Sequence, residues 1–137
     1  GFRRLYKRAE EVATERGYIR MFTGRVRHYD QYSPTHKASS NLIQGAVAEM
    51  MRLAILRLDK LLEGWDTYML LQIHDQIVFE VPEDKLFKVL PIIREGMENF
   101  LPEFELYIPM KVDIKYGPSW GQMIEWTGEE DKQILNN

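Results

Sequence analysis

Residues 68–81 read Tyr68-Met69-Leu70-Leu71-Gln72-Ile73-His74-Asp75-Gln76-Ile77-Val78-Phe79-Glu80-Val81. Two apolar runs, 68–73 and 77–81, are separated only by His74, Asp75 and Gln76. Parallel neighbours need a crossover of about a dozen residues or more, so strands this close pair antiparallel. The stretch predicts a β-hairpin with those three polar residues at its bend. Neither Gly nor Asn stands at the bend, so the apolar runs carry the reading rather than the turn chemistry.

Upstream, Ile43, Val47, Met50, Ala54, Leu58 and Leu61 recur at three- and four-residue spacing. They predict a long helix from residue 39 or 40 to 62, capped by a Ser and closed at Gly64. Residues 2–16 place Leu5, Ala9, Val12 and Ala13 at helical spacing, with Gly17 as the stop. A short extended segment (18–22), a turn at Thr23-Gly24 and a polar loop (29–37) link the two helices. Downstream of Pro82, residues 83–101 read as a helix that Pro91 kinks. Ile108, Met110, Val112 and Ile114 then alternate with polar residues and Pro109, which predicts a half-buried third strand. Residues 117–121 form a turn anchored by Trp120, and the polar tail from Thr127 is expected to fray.

This order predicts an α+β fold: an antiparallel sheet of hairpin plus third strand, with helices packed on one face. Residues 1–137 read as a single partial domain. Three strands make a thin sheet, so a neighbouring strand is expected to be missing, and an open edge of that kind favours self-association.

The chain has 137 residues and no cysteine. That excludes disulfide scaffolds, zinc–thiolate sites and thiol nucleophiles. No apolar run approaches the ~20 residues of a membrane helix, so no membrane partner is expected. The net charge of −3 hides a split, with +5 over residues 1–40 and −8 over the remainder. An acidic whole is a poor general polyanion binder, whereas its basic first third can touch phosphates locally. A solvated basic helix produces the same split.

Three constellations can carry chemistry. At the hairpin bend, Asp75 offers a hard oxygen suited to Mg²⁺, and His74 can donate to an oxygen at a nucleic-acid end. Asp and His are also common at bends for purely local reasons. Two-metal phosphoryl transfer needs at least two carboxylates holding ions ~3.5–4 Å apart. Glu49, Asp59, Asp66, Glu80 and Asp113 are possible second ligands, and spacing singles out none of them. The segment His36-Lys37-Ala38-Ser39-Ser40-Asn41-Leu42-Ile43-Gln44-Gly45 puts polar groups at a helix start, within reach of phosphates or minor-groove acceptors. Arg20, Arg25 and Arg27, set around Gly24, suit backbone phosphates.

Taken in order, these blocks resemble the C-terminal part of family-A DNA polymerases, the bacterial DNA polymerase I type and its phage relatives. The resemblance rests on Gly17-Tyr18-Ile19-Arg20, Thr23-Gly24-Arg25-Val26-Arg27, Lys37-Ala38 with Leu42-Ile43-Gln44-Gly45, residues 70–76, and Val112-Asp113 with Gly117-Pro118-Ser119-Trp120. It implies that residues 2–37 return from fingers to palm, that 38–126 form the palm core, and that 127–137 are a polar tail. It implies a motif C role for His74 and Asp75, with Asp75 binding one or both catalytic Mg²⁺ ions and His74 near the primer terminus. Gln44 resembles the family's minor-groove Gln. His36 and Lys37 fall near the DNA, and Arg25 and Arg27 match a basic turn facing phosphates.

Two positions depart from the family pattern. Gln76 replaces the usual Glu beside the catalytic pair, and Ser40 replaces the usual Asn, with Asn41 adjacent. No Asp-Tyr-Ser motif A and no Arg-x₃-Lys-x₃-Phe/Tyr-Gly fingers helix occurs in the chain. The implied partners are primer–template DNA, deoxynucleotides, and the rest of a polymerase or a complementing chain. The implied location is the cytoplasm of a bacterial or phage-infected cell. Alone, the chain is expected to be inactive. A non-catalytic nucleic-acid-binding module and one subunit of a split polymerase are the alternatives.

Overall fold

The computed structural model describes residues 1–103 and 107–128. The chain divides into two compact units, residues 1–50 and 51–137. The expected fraying tail lies, from residue 129 onward, outside the described residues.

In the first unit, helix α1 (Phe2–Arg16) ends at Gly17, whose φ of 69° is left-handed. A side chain there would be strained, which is why the sequence stops the helix with glycine. Strands β1 (Tyr18–Arg20) and β2 (Val26–His28) form an antiparallel pair around the Thr23-Gly24 turn. A single 3₁₀ turn (Thr35–Lys37) leads into helix α2 (Ala38–Leu61). Ala9, Ala13, Ile19, Met21, Tyr29 and Ala38 form this unit's core, with Leu42 packed against it.

The second unit holds the hairpin of β3 (Tyr68–Ile73) and β4 (Gln76–Glu80). A 3₁₀ turn (Glu83–Lys85) then opens helix α3 (Leu86–Glu98), which contains Pro91. Leu58 and Leu62 join Val89, Leu90, Ile93, Ile114 and Trp126 in the core, and Met69, Ile77 and Phe79 of the hairpin pack against it. The α+β class stands, with one face of the hairpin covered by helical side chains.

The last described strands are β5 (Lys115–Tyr116) and β6 (Ile124–Glu125), which pair antiparallel. Beyond them, Trp126 is buried, its backbone N–H donates to the Ile114 carbonyl at 2.8 Å, and the Arg94 guanidinium lies 4.0 Å above its ring. Such a cation–π contact adds to the burial of a large aromatic side chain.

Three readings need correction. The predicted strand over residues 108–114 is not one. The third ladder begins only at Lys115, and β5–β6 is a separate two-stranded sheet rather than an extension of the hairpin. Pro109 has no N–H to offer a ladder, and the Val112 N–H donates instead to the Glu98 carboxylate at 3.0 Å. The long helix starts at Ala38, so Ser39 and Ser40 lie in its first turn rather than capping it, and Ser39 is buried. Its apolar stripe is covered from Ala54 onward, while Ile43 and Val47 are each 43% exposed. The first half of α2 packs through Ala38, Leu42, Gly45 and Glu49 instead, a stripe on the opposite face.

Candidate functional site

In the second unit, the hairpin register pairs Ile73 with Gln76, leaving His74 and Asp75 as a two-residue loop. His74 adopts φ 52°, a left-handed conformation that His tolerates better than most residues. The Gln72 side-chain amide donates to the His74 carbonyl at 3.1 Å and braces the turn. His74, Asp75 and Gln76 are all exposed. Both flanks are tied by ladder hydrogen bonds, so the two side chains project from a rigid tip. The register irregularity between Met69 and Leu71 breaks the alternation of β3. Tyr68 and Leu70, alternating with half-buried Met69, are 61% and 57% exposed, and beyond the irregularity Leu71 is 51% exposed as well.

In the first unit, the other predicted residues are distributed over the β1–β2 turn, the 3₁₀ turn and the start of α2. Gln44 and Ser40 are exposed one helical turn apart, on the face that also carries Ile43 and Val47. Gly45 packs against the Met21 side chain on the other face, which leaves Gln44 pointing outward. Asn41 is half-buried, and its amide nitrogen donates to the Tyr29 hydroxyl at 2.7 Å. Arg27 and Lys37 are exposed, and exposed His36 borders an open groove with Arg3, Tyr6 and Lys7 of α1. Arg25 is tied by its Nη1 to Glu49 Oε1 at 2.8 Å, while 58% of its side chain remains exposed.

The loop that presents His36 and Lys37 is organised by Asp30. Its carboxylate accepts from Ser33 Oγ at 2.8 Å and from the Tyr32 N–H at 3.0 Å. These bonds, the Ser33 hydroxyl foremost, hold the Asp30 carboxyl below its ordinary value of 3.8. A lowered folded-state value means the contribution is complete above about 3.8 and fades as pH falls through the folded value. The protection of the Tyr32 amide, its NMR exchange rate referred to the intrinsic rate at each pH, should therefore fall only in acid. Protection unchanged down to the protonated state would rule out this anchor.

Residues 1–122 match the family model described as DNA polymerase family A. The chain belongs to that family. It is 30% identical to the DNA polymerase I of Deinococcus radiodurans over 129 residues, which cover 88% of this chain and 13% of that protein. It is 32% identical to the thermostable DNA polymerase I of Thermus thermophilus over 119 residues, covering 80% of this chain and 14% of the relative. The polymerase domain of Pol1 from M. smegmatis, solved in complex with DNA primer-template and dNTP, superposes with a TM-score of 0.77. That match is at 28% identity and covers 86% of this chain and 22% of the other. The chain thus spans only a small part of its relatives' length.

Family-A polymerases use divalent metal ions, and the donor set here fits one in part. Asp75 supplies a hard, accessible oxygen of the kind Mg²⁺ takes. Among the described residues, no group of three His, Asp or Glu side chains gathers to hold an ion. Of the five possible second carboxylates, Glu49 is engaged by Thr23 and Arg25, and Asp66 is paired with Lys85. Glu80 pairs with Tyr68 at the far end of the hairpin from Asp75. Two sets of contacts escaped the sequence reading. Tyr29 holds Asn41 from 12 positions away, and Glu49 meets Thr23 and Arg25 from 26 and 24 positions away. No local pattern announces either contact.

Proposed function

We propose that this chain is the palm segment of a DNA-directed DNA polymerase, with the returning edge of the fingers at its start, serving DNA replication or repair synthesis. The observation that carries the reading is the pair of exposed side chains, His74 and Asp75, held at the tip of an antiparallel hairpin. The family membership and the primer-template complex of the similar Pol1 domain support it.

In this reading Asp75 contributes one ligand to the catalytic Mg²⁺ ions, and His74 holds the primer end. A bound ion of this kind stabilises charge on the attacking and leaving oxygens of phosphoryl transfer. Gln44, on an uncovered helix face, donates to minor-groove acceptors that every base pair presents, and so senses pair shape rather than sequence. Arg25, Arg27, His36 and Lys37 face backbone phosphates, with Ser40 and Asn41 at the helix start beside them. Gln76 offers an amide where the pattern has a carboxylate. The second metal carboxylate and the nucleotide-binding helix come from the rest of the polymerase or from a complementing chain. The same reading places the protein in the cytoplasm of a bacterial or phage-infected cell.

Primer extension with Mg²⁺ and four deoxynucleotides tests this directly. The 137-residue chain alone is expected to incorporate nothing, and mixing it with a polypeptide that carries motif A and the fingers helix should restore synthesis. Incorporation by the pure chain would overturn the division of labour. Failure to restore synthesis, together with salt-dependent duplex binding, would favour the binding module instead. The Gln76 and Ser40 departures are what recommend that second reading.

A further inference from the structure

The β1–β2 turn is closed by two backbone hydrogen bonds, Met21 N–H to the Arg25 carbonyl at 2.7 Å and Gly24 N–H to the Met21 carbonyl at 3.0 Å. Beyond that closure, both polar side chains flanking Gly24 converge on one carboxylate of α2. Thr23 Oγ1 donates to Glu49 Oε2 at 2.8 Å, and Arg25 Nη1 donates to Glu49 Oε1 at 2.8 Å. The partners are unequally placed: the Glu49 side chain is only 10% exposed, whereas that of Arg25 is 58% exposed. A carboxylate taken out of water is costly unless paired and hydrogen-bonded, so its presence behind an accessible cation calls for a reason. Arginine has five N–H donors in a planar fork, and fixing one edge from behind orients the others.

We infer that Glu49 is a positioning residue: it fixes the guanidinium of Arg25, and with it the turn, so that the outer edge of Arg25 meets a nucleic-acid phosphate. This rests on the reading that this unit faces duplex DNA, and it assigns Glu49 away from metal binding. A guanidinium already held in place loses little rotamer freedom when it meets phosphate, and a free one loses more. The two possible roles of Glu49 differ in sign. As mere counter-charge, Glu49 opposes phosphate binding, and its removal strengthens affinity. As a positioning residue, its removal weakens affinity although the protein becomes more positive.

The test is binding of the 137-residue chain to a primer–template duplex with a recessed 3′ end, followed by fluorescence anisotropy across a KCl series. Arg25→Ala should weaken binding and lower the salt slope by about one phosphate contact. Glu49→Gln should weaken binding about three- to tenfold. In the Arg25→Ala background it should no longer weaken binding, because the positioning effect runs through Arg25. Thr23→Val removes one donor to the same carboxylate without changing any charge. It should shift affinity in the same direction by less, which keeps the inference testable if Glu49→Gln lowers the melting temperature below the assay temperature. Tighter binding by Glu49→Gln, or an equal loss with Arg25 already removed, would overturn the positioning role and leave the nucleic-acid reading intact. Absence of wild-type binding would overturn both.

Discussion

Asp75→Asn, introduced into a polymerase completed from this chain and a polypeptide supplying the rest, should lower primer extension about a thousandfold. Several kcal/mol of charge stabilisation depend on correctly held metal ions, and each 1.36 kcal/mol is about a factor of ten in rate. Asparagine keeps the size of the side chain and removes the anionic oxygen that a hard cation prefers. The hairpin itself should be unharmed, because Asp75 is exposed at the loop and not packed in the core. Surface changes of this kind usually shift stability by less than about 0.5 kcal/mol. Extension rates and melting temperatures measured on the same preparation separate the two effects. Activity within a few-fold of the parent would end the metal-ligand assignment.

The second large effect concerns the contact between α2 and α3. Leu58 is fully buried, and its Cδ2 and Cγ lie 2.4 and 2.9 Å from where a Cβ on Gly96 would stand. Leu58→Ala should cost about 3–5 kcal/mol, out of a total stability of roughly 5–15 kcal/mol. Gly96→Ala alone should cost about 1–3 kcal/mol by overpacking, since the neighbour it strikes is held in a full core. Together the two should cost clearly less than their sum, because removing the leucine side chain vacates the space the new methyl needs. Urea midpoints for the four proteins of this cycle measure the coupling. Strict additivity would mean that Gly96 is not where the two helices touch.

What could be read in advance followed from local periodicity. The hairpin, α1 and the bulk of α2 are long, regular patterns bounded by Gly17 and Gly64, and the structure has them where the residues put them. Residues 108–114 show the limit of that logic. Their alternation is as clear as any in the chain, yet a strand exists only if a neighbour accepts its hydrogen bonds, and here the Val112 N–H is taken by Glu98. Ile43 and Val47 show another: their spacing belongs to a helix stripe, but spacing alone cannot say where the cover ends. At the candidate site, the exposed hairpin tip carrying His74 and Asp75 was legible because the apolar runs frame it. The engagement of Arg25 with Glu49 was invisible because it joins a turn to a helix across 24 residues.

Trp126 carries a last consequence. The stretch matched to the family ends at residue 122, yet this buried indole, four positions further on, fills part of the core against Ile114 and Arg94. The extent of the family match and the extent of the packed core are therefore different boundaries in this polypeptide. Anyone trimming it at residue 122 would remove a wedge on which the core of the second unit closes.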